Sequence, residues 1–274
     1  LLPFSFREFL KAKGFQQDLR TFEGIGKTQK LLKYFLMLGG YPEVVLNEDK
    51  KDFLWKSYFD EIFYRDFVER QKIKNIQFGR ILLEFILQNF SKEMSMNRIK
   101  NFLKGKAPFT DRTVYEYAEK LEDTLNIFFV ERFSKKVPER LSWPKKIYVA
   151  DVGITNIFAV SEDIGKRMEN SVFLEELRKT SRNPLLQVYY FKNKENEVDF
   201  VIKEGLRIKQ LIQVTYAYSK DEIEKKEIKA LLKASDLLRC KDLLCLTWDY
   251  EDDMKVGNRR IKFLPLWKWL LSVE

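Results

Sequence analysis

The 274-residue sequence has no histidine and only two cysteines. The first absence excludes the most. Ser-His-Asp and Cys-His catalysis, the His-Glu-x-x-His metalloprotease helix and histidine general acid–base chemistry all need the missing side chain. Any catalysis must run on carboxylates, lysine, tyrosine or a metal. Cys240 and Cys245 stand in RCKDLLCL without C-x-x-C spacing or a second pair, so zinc is not expected. Two reduced, buried thiols in a cytoplasmic protein are. Also missing are a signal-peptide pattern and any apolar run near the roughly 20 residues of a membrane span, so no membrane partner is expected.

What is present points to an ordered protein with an anionic partner. Hydrophobic residues make up 45% and aromatics 15%, too many for a disordered chain. Lysine and arginine number 50 against 41 acidic residues, a net charge of +9, which favours nucleic acid. The length suits two or three modules, each with its own core. The start Leu1-Leu2-Pro3-Phe4 lacks an initiator Met and reads as a chain entered part-way through a larger domain.

Residues 1–75 read as a helical segment. Ser5 is placed to cap a helix over 6–13 that stops at Gly14; a second helix over 28–38 ends at Gly39-Gly40, and a third runs over 51–71. Between the first two lies TFEGIGKT, residues 21–28, which imitates the end of a phosphate-binding loop. Thr21 replaces the required first glycine and no strand feeds the segment, so Gly24 and Gly26 read as loop and Lys27-Thr28 as a helix start.

Residues 76–160 contain helices over 76–90, 96–103 and 111–123, a strand over 127–133, a polar excursion over 134–146 and a strand over 147–149. Three helices followed by a two-stranded ribbon make a winged helix-turn-helix. Its third helix would offer Arg112, Thr113, Glu116 and Lys120 to a major groove, and its wing Arg132, Lys135, Lys136, Arg140, Lys145 and Lys146 to phosphates. Asp151 reads as a helix cap for 154–160.

Residues 161–274 alternate helix and strand: a helix over 165–179, a strand over 187–191, a hairpin over 197–215, a helix over 220–238, strands over 242–247 and 260–265, and an apolar helix over 266–271. Side chains two apart on a strand share a face, so Glu197 and Asp199 point together, as do Gln213 and Thr215. With Glu169 on the preceding helix they form the skeleton of a divalent-metal site, because Mg²⁺ takes clustered carboxylate oxygens. The set Glu169-Asn170, Glu197-Val198-Asp199-Phe200 and Gln213-Val214-Thr215 resembles the PD-(D/E)xK restriction-endonuclease-like fold, whose signature is helix Glu, strand Asp, then Glu-x-Lys. The resemblance implies catalytic roles for Glu169, Glu197, Asp199 and Gln213, with Glu169 and Asp199 on Mg²⁺. Gln213 stands where the second carboxylate belongs and Thr215 where the lysine belongs, which weakens the site.

A second resemblance covers the chain from Leu1 onward. LLPFSFREFL, LGGYPEVV and YFDEIFYRDFVER, in that order, resemble the C-terminal region of AAA-type P-loop ATPases of archaea and bacteria: lid, winged helix, nuclease-like domain. The resemblance implies ATP only for a preceding core that these residues do not contain. The expected whole is therefore an α+β, multi-domain protein that binds nucleic acid, with duplex DNA expected, and carries a degenerate nuclease-like domain. An active Mg²⁺-dependent nuclease and a protein-interaction or homo-oligomerisation module stay open beside it.

Overall fold

Ser5 opens the first helix of the computed structural model, which describes residues 2–15, 19, 21–158 and 162–272. Its hydroxyl accepts the Glu8 N–H at 3.3 Å while the Glu8 carboxylate accepts the Ser5 N–H at 2.7 Å, a reciprocal cap on α1 (Phe6–Ala12). The chain divides into two units, Leu1–Phe129 with Pro144–Asp163, and Val130–Trp143 with Ile164–Glu274. The expected α+β composition is present.

In the first unit, α2 spans Phe22–Leu38, six residues longer at its start than expected. Thr21 Oγ1 accepts the Gly24 N–H at 3.1 Å, so Gly24 and Gly26 lie inside the helix and not in a loop. The phosphate-loop imitation spends its N–H groups on helical bonding. Phe6 and Phe9 of α1 meet Phe35 of α2 at ring distances of 5.5 and 5.2 Å. Next come α3 (Pro42–Leu46), absent from the sequence reading, and α4 (Lys51–Asp60), which continues as a π-helical segment, Glu61–Glu69. There the Arg70 N–H reaches back five residues to the Arg65 carbonyl at 3.1 Å. The aromatic side of this rod joins α5 (Ile76–Gln88) in one core cluster, Phe59, Phe63 and Phe67 beside Phe78, Leu82 and Ile86.

The core continues through β1 (Glu93–Met94), α6 (Met96–Leu103), α7 (Asp111–Glu122), β2 (Ile127–Val130) and β3 (Lys145–Val149), with sheet order β1-β3-β2. Asp151 does more than cap. Its Oδ1 accepts the N–H of Gly153, first residue of a 3₁₀ turn Gly153–Phe158, and its Oδ2 accepts the Gly40 N–H, both at 2.6 Å. Residues 159 and 160 of the expected helix lie outside the described residues.

The second unit is built on a six-stranded sheet. Its strands are β4 (Leu186–Lys192), β5 (Glu197–Glu204), β6 (Arg207–Val214), β7 (Leu243–Thr247), β8 (Asp252–Val256) and β9 (Arg259–Pro265), in the order β4-β5-β6-β7-β9-β8. β4, β5 and β6 pair antiparallel, β6, β7 and β9 run parallel, and β8 closes the edge antiparallel to β9. A parallel neighbour needs a crossover, and α10 (Lys225–Leu238) supplies it between β6 and β7.

Helix α10 packs on β5 and β6, burying Ala230, Leu231 and Ala234 against Val201, Leu211, Leu243, Cys245 and Phe263. Phe200, Ile212, Leu244 and Leu246, in alternate strand positions, are also buried. They need a cover on the other face, and α9 (Ile164–Arg182) with α11 (Leu266–Ser272) provides it.

The expected wing is different in kind. Residues 130–143 belong to the second unit: the Phe133 N–H donates to the Tyr190 carbonyl at 2.7 Å, and the Tyr190 N–H to the Glu131 carbonyl at 3.1 Å. The segment also holds a short helix, α8 (Val137–Ser142), started by Pro138 within its first turn.

Candidate functional site

A cleft of about 370 Å³ opens in the second unit where β5 begins and β6 ends. The floor comes from strand alternation. Val201 pairs with Leu211, so Asp199 and Gln213, each two residues further on, share the face beneath α10. Glu227, in the first turn of α10, enters from above, and Ala230 leaves room one turn later. Around the mouth stand Lys192 at the end of β4, Lys194 and Glu195 in the turn, Glu197 at the start of β5, and Lys226 of α10.

Burial and hydrogen bonding set the character of the floor. Asp199 is 6% exposed, and its Oδ2 accepts the Val214 N–H at 2.9 Å, so the carboxylate is fixed across the strands. Gln213 is 7% exposed and its Oε1 has no hydrogen-bond partner; Glu227 Oε2 has none either. Burial, then the charge of Asp199, pushes the Glu227 carboxyl up to about 7, and a hydrogen bond from Thr215 opposes the shift. Thr215, where the nuclease-like signature would have a lysine, brings no positive charge.

The cation rim is partly paired. Lys192 bridges Glu197 at 2.9 Å and Lys226 bridges Glu224 at 2.6 Å, while Lys225 and Lys229 point to solvent on the same helix. Acidic floor under lysine rim suits a cation below and a phosphate above.

The structure assembles three of the four residues the sequence gave to this site: Glu197, Asp199 and Gln213. It does not bring Glu169 to them. Glu169 is half-buried on α9, which packs on β4 and β6, and it is not among the residues lining the cleft. Among the described residues no three Asp, Glu, Cys or His side chains group as a metal site; the cleft floor holds one buried carboxylate, Asp199, a buried amide, Gln213, and the half-buried Glu227. Glu227 went unseen in the sequence because its approach depends on where α10 crosses β6. Its one signal is position, two residues into the helix that follows Gln213-Val214-Thr215.

The residues assigned to nucleic acid are scattered. Arg112 is exposed on α7, but Thr113 closes the capping box with Thr110, and Lys120 bridges Glu116 at 2.8 Å. Arg132 lies 3.9 Å from the Trp143 ring centre and Arg140 bridges Glu131 at 3.2 Å. Lys135 and Lys136 are exposed, Lys145 is half-buried and Lys146 is 2% exposed, buried in β3. The first unit instead presents exposed Arg98 in the first turn of α6, Lys104 and Lys106 in the connection to α7 and Arg112 at its start, with Lys74 close enough to help hold the Glu116 carboxyl low after Lys120 and Arg112. Lys104-Gly105-Lys106 was legible as a basic turn between two capped helices.

Residues 29–163 match a family described as a domain of unknown function (DUF8612). The chain is 37% identical over 286 residues to an uncharacterized protein, MJ1544, of Methanocaldococcus jannaschii, covering 99% of this chain and 63% of that protein. It is 24% identical over 279 residues to an uncharacterized protein of Haemophilus influenzae, covering 99% of this chain and 64% of that protein. The chain thus spans less than two thirds of the length of either relative. No solved structure matches it.

Proposed function

We propose that the chain binds duplex nucleic acid through the α6–α7 hairpin of its first unit, as the non-motor portion of a larger nucleotide-driven protein. One observation carries this reading: Arg98 on α6, Lys104 and Lys106 in the connection after it and Arg112 on α7 are all exposed cations. The element order α5-β1-α6-α7-β2-β3 with sheet order β1-β3-β2 supports a winged helix, in which α7 is the groove-entering helix. The antiparallel-then-parallel sheet with Asp199 and Gln213 on one face supports a nuclease-like second unit. Its motor association rests on the motif resemblance to AAA-type ATPases.

A salt titration of duplex binding tests the proposal. Four phosphate contacts give a slope of log K against log salt near −3.6, about −0.9 per contact. Arg112→Ala and Lys104→Ala each flatten it by about one contact. A flat response in the wild type sinks the proposal and favours a protein partner.

A second reading is metal-dependent phosphodiester hydrolysis in the cleft. The observation favouring it is the lysine rim above a floor of buried Asp199 and Gln213 and half-buried Glu227. When bound, Mg²⁺ would polarise a phosphate oxygen and supply the charge that Thr215 does not. Nicking of supercoiled plasmid with Mg²⁺ or Mn²⁺, lost in Asp199→Ala, is the expected result; cleavage unchanged in that variant identifies a contaminant.

A further inference from the structure

The rod formed by α4 and the π-helical Glu61–Glu69 turns Phe59, Phe63 and Phe67 into the core and keeps a second side open. A shallow groove of about 410 Å³ runs along that side, lined by residues of the rod alone. Two rings stand in it, Phe53 at 73% and Tyr64 at 43% exposure. Arg80 holds the second by donating to its hydroxyl at 3.3 Å. Between the rings lie Lys56, which bridges Asp60 at 2.5 Å, and Glu61, which bridges Arg65 at 3.3 Å. Both bridges are open to solvent and contribute little to the fold by themselves. The order of these residues is its own complement when read in reverse: ring, cation and hydroxyl, then two anions, then ring.

We infer that two copies of the chain pack rod against rod, end for end, through this groove. A two-fold axis level with Tyr58 and Phe59 sets Phe53 against the partner's Tyr64, Lys56 against the partner's Glu61 and Ser57 against the partner's Asp60. The symmetry makes each contact twice. Arg65 then meets the partner's Asp52, exposed one residue before Phe53. The two solvent-facing bridges of each copy join into one network, and the exposed rings cover each other as the aromatic anchors of interfaces do. A slip of one helical turn sets Lys56 against the partner's Arg65, or Asp52 against the partner's Glu61, so repulsion of like charges holds the register. One side of one rod is a small area, and the pair is therefore weak and concentration-dependent. It stands apart from the two readings above, since it needs neither nucleic acid nor a metal.

The experiment is sedimentation equilibrium of the full chain over a range of concentrations. The wild type passes from the mass of one chain towards that of two across the micromolar range. Lys56→Glu sets an anion against the partner's Glu61, and Glu61→Lys sets a cation against the partner's Lys56. Each variant alone therefore weakens self-association at least about tenfold. An equimolar mixture of the two regains wild-type association, because both charge contacts of a mixed pair are again of opposite sign. Thermal midpoints equal to that of the wild type report that both variants fold. A wild type that stays single up to several hundred micromolar overturns the inference. So does either variant that pairs alone as the wild type does, which moves the contact to another face, and so does a mixture that stays single, which breaks the register.

Discussion

Asp151 Oδ2 accepts the Gly40 N–H at 2.6 Å across 111 residues of sequence, so one buried carboxylate closes the turn after α2 and the turn after β3 together. Gly39 ends α2 with φ +86°, and a Cβ there would lie 1.9 Å from Asp151 Oδ1. Both the positive φ and the close approach demand glycine. Asp151→Ala orphans two buried N–H donors that now bond to a charge, and a loss of about 2–4 kcal/mol follows. Asp151→Asn retains one acceptor and loses less. Urea denaturation of the two variants gives the order; equal stabilities would show that the two turns hold themselves.

Both thiols are shielded. Cys240 and Cys245 are free and buried, and burial pushes each thiol up, with Glu227 and Asp199 adding to the shift at Cys245. Reactivity follows the thiolate fraction and access. A colorimetric disulfide reagent therefore titrates no thiol in the native protein and both after denaturation. Fast reaction of a native thiol would contradict the burial of Cys240 and Cys245 in the core beneath α10.

The pH response of the second unit follows from Glu176. Burial raises its carboxyl above 4.5, against the opposing pull of Lys179 at 2.6 Å and then Lys209. Below 4.5 the group is protonated folded or unfolded and costs nothing. As pH rises, the unfolded chain releases the proton first, so stability falls until the folded carboxyl also ionises. Glu176→Gln stays neutral throughout, and its midpoint gains on the wild type as pH rises above 4.5. Were the Lys179 bridge dominant, the gap would move the other way.

Elements with a strong local code were legible, and relations set by tertiary packing were not. Ser5, Ser95 and Thr110 announce their helices by cap, and each cap forms. The alternation of Val198 to Ile202 gives β5 and with it the shared face of Asp199 and Gln213. By contrast, a π-helical Glu61–Glu69 differs from an α-helix only in which carbonyl each N–H selects, a choice made by the packing of Phe63 and Phe67. The edge strand β8 is too charged to read as strand, although Gly257, at φ +61°, marks its hairpin with β9. The place of residues 130–143 in the second unit was hidden for a related reason: a run of charges reads as solvated, yet Arg132 and Arg140 set their guanidinium groups over the Trp143 and Tyr189 rings.

Lysines of equal charge should then behave unequally. Lys146 is buried in β3 opposite Glu93, whereas Lys104 stands exposed after α6. Lys146→Ala lowers the thermal midpoint and leaves the salt slope of duplex binding unchanged. Lys104→Ala does the reverse. A flattened slope in Lys146→Ala with unaltered stability would return that lysine to the nucleic-acid surface.

Asp199 serves fold and cleft at once, and the two duties separate by substitution. The described ladder between β5 and β6 runs from Glu204–Arg207 to Phe200–Ile212, and beyond it the Val214 N–H is taken by the Asp199 carboxylate. Asp199→Asn keeps an oxygen for that N–H and removes a charge repelling Glu227, so in chelator it holds or gains stability. Asp199→Ala leaves the N–H without its acceptor and opens a cavity beside Gln213, costing about 1–3 kcal/mol. Hydrogen exchange at Val214 reports the same contact locally, slow in the wild type and Asp199→Asn and fast in Asp199→Ala. Equal exchange in all three would mean that the 2.9 Å contact does not close the sheet, and that the aspartate is held by the cleft alone.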